Sequence, residues 1–87
     1  MIENEFRQDC YKIITETGFT GKEVKGDVFN WITSGVEDTS TFIKIDKKLC
    51  AQFYWKKHKG KLVAVQFYKD KYTLHFLLKP MYKNFEI

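Results

Sequence analysis

The sequence predicts an α+β fold: one N-terminal amphipathic helix packed on an antiparallel β-meander of four to five strands. Three observations carry it. Residues 49–79 read as three alternating runs, LCAQFYWKK, KLVAVQFYK and YTLHFLLK, joined by His58-Lys59-Gly60 and Asp70-Lys71. Both loop lengths place the same apolar set on one face of a sheet, and a slip of one residue would scatter it. Ahead of these runs, residues 2–17 repeat apolar side chains at spacings of three and four, the stripe of a helix.

In chain order, the helix at 2–17 aligns Ile2, Phe6, Cys10, Ile13, Ile14 and Thr17. Glu3 and Glu5 suit the positive end of its dipole. Gly18 follows the last periodic residue and reads as its C-terminal stop. The stripe should dock on the sheet, which makes Phe6 and Ile14 core residues. Residues 18–26 read as a connection. The spacing of Gly18, Gly21 and Gly26 fits neither a phosphate-binding loop nor a dinucleotide fingerprint. Residues 27–34 are ambiguous. Val28, Phe29, Trp31 and Ile32 suit a strand, the favoured reading, whereas Asp27 could cap a short helix ending at Gly35.

Residues 36–40 are polar and turn-like. Residues 41–46 read as a strand with Ile43 and Ile45 inward and with Phe42 and Lys44 on the other side. The loop Asp46-Lys47-Lys48 then sets Ile45 against Leu49. In the first long run Leu49, Ala51, Phe53 and Trp55 share a face. The His58-Lys59-Gly60 loop, with Gly60 in the left-handed region, pairs Phe53 with Val65 and Trp55 with Val63. The Asp70-Lys71 loop pairs Phe67 with Leu74 and Val65 with Phe76. Pro80 ends the last strand, and a tail at 81–87 carrying Tyr82 and Phe85 is expected to pack back over an edge.

At 87 residues the chain is expected to form a single small domain, 1–87. Its apolar and aromatic fractions, 44% and 17%, suffice for a core without disulfides. Cys10 and Cys50 accordingly read as free thiols of a reducing, cytoplasmic protein. No basic segment followed by an apolar run opens the chain, and no apolar run is long enough to span a bilayer, so no membrane role is expected. The charge is polarised. Residues 1–38 hold four basic and eight acidic side chains, net −4; residues 39–87 hold eleven basic and three acidic, net +8. Such a split points to a polyanionic partner on one side of the molecule.

The sheet face away from the helix is the expected binding surface. Alternation puts Gln52, Tyr54, Lys56, Gln66, Tyr68, Thr73, His75 and Lys79 on it, and the hairpin tip adds Lys57, His58, Lys59 and Lys61. Tyrosines interleaved with amides and lysines can stack bases and hold phosphates. The expected nucleic-acid contacts are therefore Tyr54, Lys56, Lys57, His58, Lys59, Lys61, Gln66, Tyr68, His75 and Lys79. Leu62, Ala64 and Leu77 fall on the same face and could instead mark a protein interface or a homodimer.

No catalytic residues are expected. His58 and His75 could act as acid and base in metal-independent RNA cleavage, but His75 falls opposite Gln66, far from the tip that holds His58. The cysteines and histidines show no paired ligand spacing, so neither a metal nor a cofactor is expected. The sequence thus predicts a small, basic, non-enzymatic module that binds RNA or single-stranded nucleic acid. The alternative is an inhibitor or adaptor, of phage or plasmid accessory type, docking on a protein target by an edge strand or the open face. A metal-independent ribonuclease comes third.

Overall fold

A computed structural model of the chain describes residues 2–34, 40–46, 48–56 and 61–79. The chain runs α1 (Ile2–Glu16), β1 (Gly21–Val24), α2 (Gly26–Thr33), β2 (Ser40–Lys44), β3 (Cys50–Lys56), β4 (Lys61–Lys69) and β5 (Tyr72–Leu78). The five strands form one sheet in the order β1-β5-β4-β3-β2, antiparallel throughout. The expected α+β class is what is seen: β2 to β5 make the meander, and β1 extends it at the β5 edge.

α1 follows its sequence stripe. Phe6, Cys10 and Ile14 are buried and Ile13 is partly buried. Thr17 turns out of the stripe; its hydroxyl donates to the Ile13 carbonyl at 2.8 Å. Gly18 takes φ +78° and donates its amide to the Thr15 carbonyl, which ends the helix. The helix covers a sheet face built from Leu49, Ala51, Phe53, Leu62, Val65, Phe67, Leu74, Phe76 and Leu78. Burying each of the leucine, valine and phenylalanine side chains here contributes about 1.5–3 kcal/mol, so this layer is a large source of stability. Edge-to-face packing of Phe67 on Phe76, centroids 5.7 Å apart, fixes its centre.

Two stretches differ from the sequence reading. Residues 18–26 are more than a connection: β1 lies there, pairing Gly21 with Leu78 and Val24 with His75. Its glycine, lysine and glutamate are poor strand formers, and pairing with β5 overrides them. Gly21 accepts this close approach; a Cβ there would lie 3.2 Å from the Leu77 carbonyl oxygen. Residues 27–34, favoured as a strand, are helical. Lys25 rather than Asp27 holds the N-cap position, and Asp27 sits in the first turn. Topology gives the reason. β1 and β2 lie at opposite edges of the sheet, so the chain between them must cross its second face. α2 lies on that crossing and buries Phe29 and Ile32 against Val63, Ala64 and Leu77.

The β3–β4 register also departs from the expectation. Phe53 pairs with Val65, as expected, but a bulge between Tyr54 and Trp55 then pairs Trp55 with Leu62 instead of Val63. The extra residue swaps parity. Leu62 turns to the α1 side, and Val63 turns under α2. In the other hairpin Phe67 pairs with Leu74 and Val65 with Phe76, as the two-residue loop demands. Asp70 adopts φ 55° to close it, a conformation aspartate tolerates. Ile45 does sit against Leu49, whose carbonyl accepts the Ile45 and Asp46 amides. The expected inward placement of Ile43 and Ile45 is overturned: they are 43% and 39% exposed. They occupy the α1 side of an edge strand that α1 does not reach. Gly60, Pro80 and the tail with Tyr82 and Phe85 lie outside the described residues.

Candidate nucleic-acid interface

Strand pairing orders the second face into rows. One row runs Val24, His75, Gln66, Gln52, Phe42; the next runs Lys22, Leu77, Ala64, Tyr54, Ser40; a third runs Thr73, Tyr68, Cys50, Lys44. α2 sits over the β1, β5 and β4 ends of the first two. Phe29 packs 4.5 Å from the His75 ring, at 34°, and edge-on to Tyr54 at 5.1 Å. The expectation of a face open along its whole width is therefore corrected: Ala64 and Leu77 are core, and His75 and Tyr54 are partly covered.

What stays open is the β2–β3–β4 corner. Phe42 is 58% exposed and meets Tyr68 edge-on, with centroids 5.7 Å apart. Lys44 and Thr73 are exposed beside them, with Gln52, Gln66 and Cys50 partly accessible. The Tyr54 hydroxyl donates to Gln66 Oε1 at 3.3 Å, which orients that amide at the corner's border. Burial raises the pKa of both Tyr54 and Tyr68, so their phenols stay protonated donors at neutral pH.

The expected contact residues divide accordingly. Tyr68 and Gln66 belong to the open corner, and Tyr54 supports it from beneath Phe29. His75, although paired with Gln66, lies under α2: its Nδ1 is buried with no hydrogen-bond partner among the described residues, and burial lowers its pKa. A Cβ on Gly26 would lie 3.3 Å from His75 Nε2, a tight contact that glycine avoids where α2 starts beside the ring. Lys79 is exposed past the end of β5, its amide bonded to the Thr20 carbonyl. Lys56 and Lys61 pair with each other at the loop end of the β3–β4 hairpin, and their side chains lie outside the described residues. Lys57, His58 and Lys59 lie outside the described residues. Phe42 and Lys44 were not among the expected contacts. The signal for them was present, since strand parity already put both on the side of Gln52 and Tyr54.

A second concavity opens where β1 stops short along β5. This cleft of about 480 Å³ is lined by Arg7, Glu23, Lys25, Gly26, Thr73 and His75 among others. Its charged wall is committed to structure. Arg7 Nη1 donates to Glu23 Oε1 at 2.5 Å and the Tyr11 hydroxyl to Glu23 Oε2 at 2.8 Å, tying α1 to β1. Desolvation opposes ionisation of Glu23, but these two hydrogen bonds and the Arg7 charge outweigh it, and the carboxyl lies below its usual range.

Both cysteines are free thiols. Burial pushes Cys10 up to about 12, which keeps it protonated and inert. Among the described residues, no three His, Cys, Asp or Glu side chains gather as a metal site, and no helix is long and apolar enough to cross a membrane. Comparison of the chain with protein-family models, with curated proteins and with solved structures returned no match.

Proposed function

We propose that the protein is a non-enzymatic binding module for RNA or single-stranded DNA, which it contacts at the open β2–β3–β4 corner. The observation that carries this reading is the exposed Phe42 ring set edge-on to a half-buried Tyr68, beside Lys44 and two glutamines. Flat rings offer stacking platforms of about 1–3 kcal/mol per base, and the amides can address base edges. The +8 charge of residues 39–87 supplies the phosphate attraction. Nothing in this arrangement supplies a general acid and base pair, so binding without turnover is the expectation.

The test is oligonucleotide binding measured across a salt series. Binding should weaken steeply with salt, by roughly −0.7 in log–log slope per phosphate contact on a single strand. Tyr68→Ala should weaken binding by about 1–3 kcal/mol with the slope unchanged, because stacking is not ionic. Absence of binding at low salt would sink the reading and favour docking on a protein target.

A further inference from the structure

We infer that β2 is the seam of a symmetric homodimer, in which two copies join their sheets edge to edge. Edge strands are usually blunted by charge, proline or a bulge. β2 keeps one charge, Lys44, but also exposes two large apolar side chains, Phe42 on one side of the sheet and Ile43 on the other, and Ile45 just past the strand adds a third. Its backbone names the kind of occupant. The Ile45 amide turns inward to Leu49, so alternation turns the Phe42 and Lys44 amides and carbonyls outward. Those groups call for an extended strand.

A second copy of β2 fits them. Antiparallel pairing about a two-fold axis at Ile43 sets Ile43 against Ile43 of the other copy. It also sets each Phe42 against a Lys44, as a cation–π pair, and each Thr41 against an Ile45. No like charges stand directly opposite. The other edge, β1, is a poorer match. It presents Lys22 and a Glu23 already held by Arg7 and Tyr11, and joining it to β2 would be head-to-tail and would not close. The two-fold axis stands perpendicular to the sheet, so both Phe42–Tyr68 corners end up adjoining on one face. That would double the platform proposed above, although the seam itself does not depend on that reading.

The experiment is sedimentation equilibrium of the full chain without nucleic acid, from about 5 to about 500 µM, the range expected for an interface below standard size. A monomer–dimer equilibrium is expected. It should tighten with added salt, because each copy carries +4 and salt screens that repulsion. Ile43→Lys, at a site 43% exposed in the monomer, should abolish the dimer while the circular dichroism spectrum stays unchanged. Ile43→Cys in a Cys50→Ser background should oxidise to a covalent dimer, because facing residues at such a non-hydrogen-bonded pair have Cα atoms about 4.5 Å apart. Phe42→Cys, displaced from its own copy in this register, should not. A monomer over the whole range, or a dimer indifferent to Ile43→Lys, would overturn the seam. Efficient cross-linking by Phe42→Cys but not Ile43→Cys would overturn the register. Nucleic-acid binding plays no part in any of these outcomes, so the two proposals fail separately.

Discussion

His75 shows how one side chain responds to a cover that its own strand does not reveal. Alternation places it on the face of Gln66 and Thr73, where it would be a solvated imidazole. With Phe29 and Gly26 over it, burial holds its pKa below the ordinary 6.5. The unfolded chain therefore binds a proton at higher pH than the folded one. The stability at stake is complete above about 6.5, falls as pH drops through the folded value and levels off below it. Urea midpoints taken between neutral and mildly acidic pH should show this decline. His75→Leu should remove that part of the pH dependence while leaving the more acidic loss from Glu23, whose carboxyl titrates below its usual 4.5. A variant that keeps the wild-type profile would show that His75 is solvated after all.

At the scale of elements, α2 is the piece on which the second face depends. It is eight residues long, too short to hold as an isolated helix. Phe29 and Ile32 attach it to Val63, Ala64 and Leu77. Phe29→Ala should cost about 3–5 kcal/mol and should release Tyr54 and His75 from their aromatic contacts. Chemical denaturation measures the cost, and the emission of Trp31, 65% exposed on α2, should report the loosened helix. A loss well under 1 kcal/mol would mean that α2 is not packed as described. α1 is different in kind. Its stripe, its cap and its Arg7–Glu23–Tyr11 tie all agree, and agreement across levels is what makes an element legible from sequence.

The whole molecule combines a basic C-terminal half with an acidic N-terminal half, and under the proposed function that asymmetry should set the long-range attraction of a polyanion. Replacing Lys57, Lys59 and Lys61 by Ala removes three of the eleven basic side chains in residues 39–87. If all three contact phosphates of a single strand, the salt slope of oligonucleotide binding should flatten by about two units. An unchanged slope would place the phosphate path elsewhere, nearer Lys44 and the β2 corner. Read together with Tyr68→Ala, this titration separates the ionic part of binding from the stacking part.

The sequence by itself determined the helix, the three long strands and the second hairpin's register. In each of these the side-chain period, the turn residues and the apolar count converge on one arrangement. It also determined the charge split and the sides on which Tyr68, Gln66 and Phe42 stand, because parity follows from the pleat alone. Only the tertiary structure decided the rest. β1 is a strand because β5 offers it an edge, not because Gly21, Lys22 and Glu23 favour one. Residues 26–33 are a helix because the chain must cross the sheet and cover Val63, Ala64 and Leu77. The bulge after Tyr54 trades Leu62 for Val63, which no alternation pattern encodes. Each of these depends on a partner distant in sequence. So does the shape of the candidate site: α2 covers His75 and part of Tyr54, and leaves exposed Phe42 and Lys44 beside a half-buried Tyr68 as the open corner.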